Sequence, residues 1–302
     1  PEKNLCWKNY PDYCMRLQKK WPSWLKLFLK ISITLLCLWY ISTKIDWQKC
    51  LVIIRAANWI WVIAAAIFFI FSKIVSAFRL NMYFQNMALI IPGIKNIQLY
   101  WLGMFYNLFL PGGIGGDGYK VILLKKTYAV STRLLSAAVL LDRISGIAGL
   151  GILAAVYFAI TRHFDFWSII VLACIIPGIA VYFLIVKKIF PTFLPGFWPT
   201  LWLGLVVQVL QVVCVYFILQ ALNIHTTSSV FIFIFLLSSV VAIFPFTIGG
   251  LGAREMVFLW GSNTLLHTQN SPLPVSISLC FYLITAIVSV FGIIWEYKNP
   301  MK

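Results

Sequence analysis

Six ionisable side chains stand inside apolar runs of this chain: Asp117, Lys120, Asp142, Arg143, Arg254 and Glu255, with Arg79 at the end of another such run. A charge in hydrocarbon is costly and is kept where it faces a cavity, a partner or a substrate. Asp142-Arg143 and Arg254-Glu255 are sequence neighbours and point to different helix faces, so neither is a self-contained pair; pairing across two halves of the chain would satisfy all four. The set reads either as a structural ion-pair network or as a site for a charged substrate, and the two are compatible.

Two of these clusters follow the same glycine motif. Pro111-Gly-Gly-Ile-Gly-Gly-Asp-Gly-Tyr-Lys120 returns as Pro245-Phe-Thr-Ile-Gly-Gly-Leu-Gly-Ala-Arg254, with proline, isoleucine, three glycines and a terminal cation in one register. Each copy interrupts an apolar run, which predicts a broken membrane helix with backbone N–H groups lacking intrahelical partners. The N-terminus of the helix that resumes is an anion site, and glycine lets a phosphate approach the backbone. Two such breaks in corresponding positions point to a transport site in a repeated fold. The plainer alternative is that the glycines allow tight turns and close helix packing.

Other chemistries fail on context. Gly113 to Gly118 matches G-x-G-x-x-G literally, but no strand–helix–strand unit surrounds it, and Lys120 lacks the glycine before it and the hydroxyl after it that a phosphate-binding P-loop needs. The seven cysteines show no C-x-x-C, and His163, His225 and His267 have no clustered partner, so no metal and no cofactor are expected.

Which elements hold these residues follows from composition. Of 302 residues 62% are hydrophobic, 17% aromatic and 11% charged, and several apolar runs reach spanning length, so the class is an all-α polytopic membrane protein. No stretch outside those runs is long enough for a soluble catalytic domain. The net charge of +16 flanks hydrophobic segments, where it meets phospholipid headgroups, and nucleic acid is excluded as a partner.

The expected organisation is a basic, aromatic, interfacial segment over residues 1–24 and a single transmembrane domain over 25–302. It holds about six full spans: Leu25 to Ser42, kept as an anchor since no cleavable signal precedes it; Trp59 to Phe78, closed by Arg79; Leu134 to Ile160; Trp167 to Val186; Leu201 to Leu222; and Pro274 to Trp295. Residues 44–55 are basic and half-apolar and suit the interface. Between Lys187 and Thr200 the proline-rich sequence predicts a non-helical connector. Two re-entrant hairpins, Leu99 to Lys126 and Val230 to Leu266, are centred on the glycine motifs. The units 59–160 and 201–295 then form an inverted repeat, because Lys95, Lys125, Lys126, Lys187 and Lys188 set one side as cytoplasmic, with both termini, and the loops around Asn223 and Gln269 lack Lys and Arg.

On Asn107 to Lys120, on Leu141-Asp-Arg-Ile-Ser-Gly146 and on Ile248-Gly-Gly-Leu-Gly-Ala-Arg-Glu255, the chain resembles the lysylphosphatidylglycerol synthase transmembrane, or flippase-like, family. The resemblance covers nearly the whole chain. It implies a domain that moves lipids between leaflets, with re-entrant helices near its centre. No synthase domain accompanies it here, so the expected protein makes no aminoacylated lipid and is not an enzyme; Phe246-Thr247 stand where relatives often have Pro-Gly. The candidate substrate-binding residues are Asn107, Gly112, Gly113, Gly115, Gly116, Asp117, Lys120, Asp142, Arg143, Gly249, Gly250, Gly252, Arg254 and Glu255. The expected partner is a phospholipid or polyprenyl-phosphate lipid, the expected location the cell membrane, with a homo-oligomer possible. A lipid-modifying enzyme or a non-catalytic partner in a lipid or glycan pathway is the alternative.

Overall fold

The computed structural model describes residues 46–109, 115–128, 130–243, 250–267 and 271–298, with scattered positions between 32 and 43. The expected first span, the segment 1–24, the apices of both glycine breaks and Gln269 therefore lie wholly or largely outside the described residues.

Residues 46–55 form a short helix, α1 (Trp47–Arg55), whose first N–H groups are capped by the Asp46 carboxylate at 2.9 Å. α2 (Trp59–Asn86) starts at Asn58, whose side chain accepts from Ile60 N–H. The first hairpin is α3 (Gly93–Phe109) and α4 (Gly115–Thr127), followed by α5 (Thr132–Thr161). Next come α6 (Phe166–Ala173), α7 (Ile175–Ile189), a 3-10 turn (Pro191–Gly196) and α8 (Phe197–Ala221). The second hairpin is α9 (Ser228–Ile243) and α10 (Ala253–Leu265), and the chain closes with α11 (Pro272–Val290) and α12 (Ile293–Lys298). Five stretches are long and apolar enough to cross a bilayer: Trp59–Asn86, Thr132–Thr161, Phe166–Ile189, Pro191–Ala221 and Pro272–Glu296. They coincide with five of the six expected spans, and the molecule is an all-α polytopic membrane protein.

Three boundaries differ from expectation, each for a physical reason. Arg79 does not close its span; α2 runs seven residues further, because the guanidinium is buried on a carboxylate and needs no exit to water. The proline-rich connector is helical after all: Pro191–Gly196 makes a 3-10 turn and Pro199 falls in the first turn of α8, where its missing N–H costs nothing. The fourth span is broken at Cys174, three residues before Pro177, whose ring removes one intrahelical bond.

α2 and α8 lie antiparallel along most of their length. Asn58 N–H donates to the Ala221 carbonyl, Trp61 stacks on Phe217, the Tyr83 hydroxyl donates to Thr200 Oγ1 at 2.9 Å, and Asn86 lies beside Gly196. α5 crosses both where small residues meet: a Cβ on Gly149 would stand 2.7 Å from the Gly204 carbonyl carbon, and one on Gly204 would stand 2.5 Å from the Ser145 oxygen. Such contacts let backbones approach where the hydrophobic effect supplies no drive. One apolar cluster, including Phe69, Val215, Phe235 and Phe281, joins α2, α8, α9 and α11; another, including Tyr83, Leu141, Phe193 and Phe197, joins α2, α5, the 3-10 turn and α8. The most apolar 18 residues within Phe166–Ile189 have a mean hydropathy of 2.9 yet only 11% of them are buried, so α6 and α7 present their apolar sides to lipid.

Candidate functional site

Both glycine motifs stand between antiparallel limbs. In the first hairpin Asn107 Oδ1 accepts the Gly116 N–H at 2.9 Å, and Tyr106 packs on Tyr119 with ring centroids 4.3 Å apart. Gly103 and Gly116 bring the limbs together so tightly that a Cβ on Gly116 would collide with the Gly103 carbonyl, while one on Gly103 would collide with the Lys120 stem. The second hairpin turns through Gly250 and Gly252, with φ of +82° and +84°, a region only glycine enters freely. Here Ala242 faces Gly250 and Ile234 faces Gly261.

The charges divide into three groups. Arg79 Nε donates to Asp142 Oδ1 at 2.7 Å with both side chains buried, and its guanidinium fits a slot left by Gly146 and Gly204. Asp117 is shared: one carboxylate oxygen accepts from Lys120 Nζ at 3.1 Å and the other from Arg143 Nε. Lys120 also lies 4.2 Å from the Tyr100 ring centroid. Glu255 is fully buried; its Oε2 accepts the Gly252 N–H at 2.7 Å, capping α10 three residues back, and its Oε1 accepts the Ser278 hydroxyl of α11 at 2.9 Å. The cross-pairing expected between the two units is therefore replaced by local partners: Asp142 finds its arginine within the first unit, and Glu255 is satisfied by a backbone N–H and a hydroxyl.

A cavity of about 270 Å³ opens between the units, and Arg143 and Arg254 both line it. Gly146 belongs to α5 as Arg143 does, Gln208 and Gln211 come from α8, and Ser239 and Ala242 from α9. Arg254 Nη1 donates to Ser239 Oγ at 3.3 Å, and Gln208 donates to the Gly146 carbonyl at 3.2 Å while its own carbonyl oxygen is buried without a partner among the described residues. Arg254 has no carboxylate within ion-pair distance among the described residues; its guanidinium lies 5.0 Å from the Phe281 ring and 5.6 Å from Phe235.

A family model for the lysylphosphatidylglycerol synthase TM region matches residues 27–292. The chain belongs to that family. No curated protein and no solved structure matches it. Membership makes this a membrane protein tied to lipid biology.

Of the candidate residues in this member of the family, the structure gathers Arg143 and Arg254 at the cavity. Asn107, Gly115 and Gly116 build the first hairpin, and Gly250 and Gly252 the second. Asp117, Lys120, Asp142 and Glu255 are buried in the protein's own contacts. Gly112, Gly113 and Gly249 lie outside the described residues. Gly116 lies close against the backbone of Gly103. Sequence reasoning missed Gln208, Gln211 and Ser239. Two amides inside an apolar span are the signal that finds two of them.

Proposed function

We propose that this chain carries a phosphate-bearing lipid between the two leaflets of the cell membrane, as a flippase or scramblase and not as an enzyme, with both termini in the cytoplasm. The observation that carries this reading is the cavity between the units, where Arg143 from one and Arg254 from the other converge beside Ser239, Gln208 and Gln211. Arginine guanidinium groups present forked donors that suit phosphate oxygens. The headgroup travels through this polar opening while the acyl or polyprenyl tails stay in hydrocarbon, so the charged part of the lipid never meets the bilayer centre alone. Movement is then downhill or driven by an ion gradient.

The test is leaflet-resolved transport in proteoliposomes with labelled phospholipids and polyprenyl-phosphate lipids. Wild-type protein should move at least one of them faster than empty liposomes do, and Arg254→Gln should lose most of that rate while purifying as a folded protein. Transport at the empty-liposome rate across the whole panel sinks the proposal and favours a lipid-modifying enzyme or a non-catalytic partner.

A further inference from the structure

We propose that a groove at the Lys187–Lys188 end of the molecule binds an anionic phospholipid of the surrounding leaflet and hands it along α5 to the cavity between the units. The hand-over rests on the transport reading above; the binding does not.

The groove has a volume of about 410 Å³ and lies where the first turns of α5 meet the end of α7 and the 3-10 turn. Arg133, Ser136, Ala137 and Leu140 line it from α5, at a spacing that puts them on one helix face about 10 Å long. Arg133 and Ser136 come first, with Thr192 contributed by the 3-10 turn, and Ala137 and Leu140 follow further into the span. A charged end at headgroup level with an apolar continuation toward the bilayer centre is the order of parts in a phospholipid.

The mouth of the groove is basic. Lys187 and Lys188 directly precede its wall residue Ile189, and both are exposed, as Arg133 is. Lys125 and Lys126 stand in the last turn of α4, just before the turn into α5. The sequence has no Asp or Glu between Asp117 and Asp142 or between Asp165 and Glu255, so no carboxylate of either segment offsets these cations. Basic pockets between spans on the cytoplasmic side, which this end is by the charge bias, attract anionic headgroups. A zwitterionic headgroup gains less there, because its own cation is repelled.

The exposed side of α5 leads on from the groove to the central cavity. Leu140 of the groove is followed three and seven residues later by Arg143 and Ile147 of the cavity wall. Leu140 is 48% exposed and Ile147 41%, so the face that joins the two openings is not covered by another helix. Arg143 stands ten positions after Arg133, about 15 Å of helix rise, and a phosphate leaving the first arginine finds the second along the same helix.

The probe is a fluorophore on Ile185→Cys, one turn before Ile189, in a cysteine-free background. The protein is held in phosphatidylcholine vesicles containing a small fraction of chain-brominated phosphatidylglycerol or chain-brominated phosphatidylcholine. Quenching should report a preference of about fivefold for phosphatidylglycerol, the ratio that one cation near the surface supplies. The same fluorophore on Ile176→Cys, at the exposed start of α7, should report none. Arg133→Gln combined with Lys188→Gln should bring the preference at Ile185 close to one. Equal quenching by the two lipids at Ile185, a preference that survives in the double variant, or the same preference at Ile176 overturns the site. In leaflet-resolved transport the double variant should move phosphatidylglycerol more slowly by about the same factor, and an unchanged rate overturns the hand-over. A preference at Ile185 in wild-type protein that moves no lipid sinks the transport reading and leaves the groove standing, so the two failures are separable.

Discussion

Arg79 shows how a single residue is tied into this interior. Its guanidinium sits at 2.7 Å from Asp142, in a slot where Gly146 and Gly204 have no side chains to displace it. Arg79→Ala should destabilise the protein by about 3 to 5 kcal/mol, because it strands a buried carboxylate. The measurement is thermal or denaturant unfolding in detergent, and Arg79→Met combined with Asp142→Leu should recover much of the loss. A single variant as stable as wild type would mean water reaches Asp142. The glycines separate in the same way. Gly116→Ala places a Cβ against the Gly103 carbonyl and should force the hairpin limbs apart, lowering yield and melting temperature. Gly151→Ala meets open space and should change stability by no more than about 1 kcal/mol. Equal behaviour of the two would remove the close crossing from the account.

At the scale of elements, the pairing of α2 with α8 sorts the loops by side. Asn58 lies with Ala221 and Asn86 with Gly196, while Cys50 reaches the Pro272 carbonyl, so the turns after residues 55 and 221 and the start of α11 share one end. The opposite end carries Lys187 and Lys188 ahead of the 3-10 turn, and by the charge bias it should be cytoplasmic. Single cysteines introduced at Lys188 and at Asn223 on a cysteine-free background should label from opposite faces, Asn223 from outside. Labelling from the same face would refute the antiparallel arrangement, and labelling with the faces exchanged would refute the charge assignment alone. The repetition of span, hairpin, span is what makes such an arrangement possible: α2, α3 to α4 and α5 in one unit, α8, α9 to α10 and α11 in the other.

For the whole molecule, the consequence of that arrangement is a polar opening where α5 of one unit meets α8 and α9 of the other. Arg143 is anchored by Asp117 in the first hairpin, and Arg254 follows the turn of the second. A conformational change that moves the hairpins relative to one another would therefore change the spacing of the two guanidinium groups. Tying α5, which carries Arg143, to the second hairpin should arrest it. A disulfide between cysteines introduced at Ile147 and Ala242, both on the cavity wall, should stop lipid movement in proteoliposomes, and reduction should restore it. Full transport by the cross-linked protein would mean the cavity does not lie on the path.

Much of this was legible from residue order alone, and for a definite reason. Membrane spans need about 20 apolar residues in a row, and glycine breaks interrupt them visibly, so helix class, five of the spans and both hairpins follow from local composition. The ionisable residues were equally visible, since any charge in an apolar run stands out. Partner choice was not. Arg79 looked like the end of a span because its sequence neighbours turn polar, and only the approach of α5 across Gly146 and Gly204 made it a buried ion pair. The contact of Gly116 with the Gly103 carbonyl was equally invisible, because a missing side chain is written identically whether it admits a ligand or a backbone. Arg254 stands without a carboxylate at ion-pair distance among the described residues because the tertiary structure gives its neighbour Glu255 to the Gly252 N–H and the Ser278 hydroxyl, a decision made by distances between helices that no local pattern encodes.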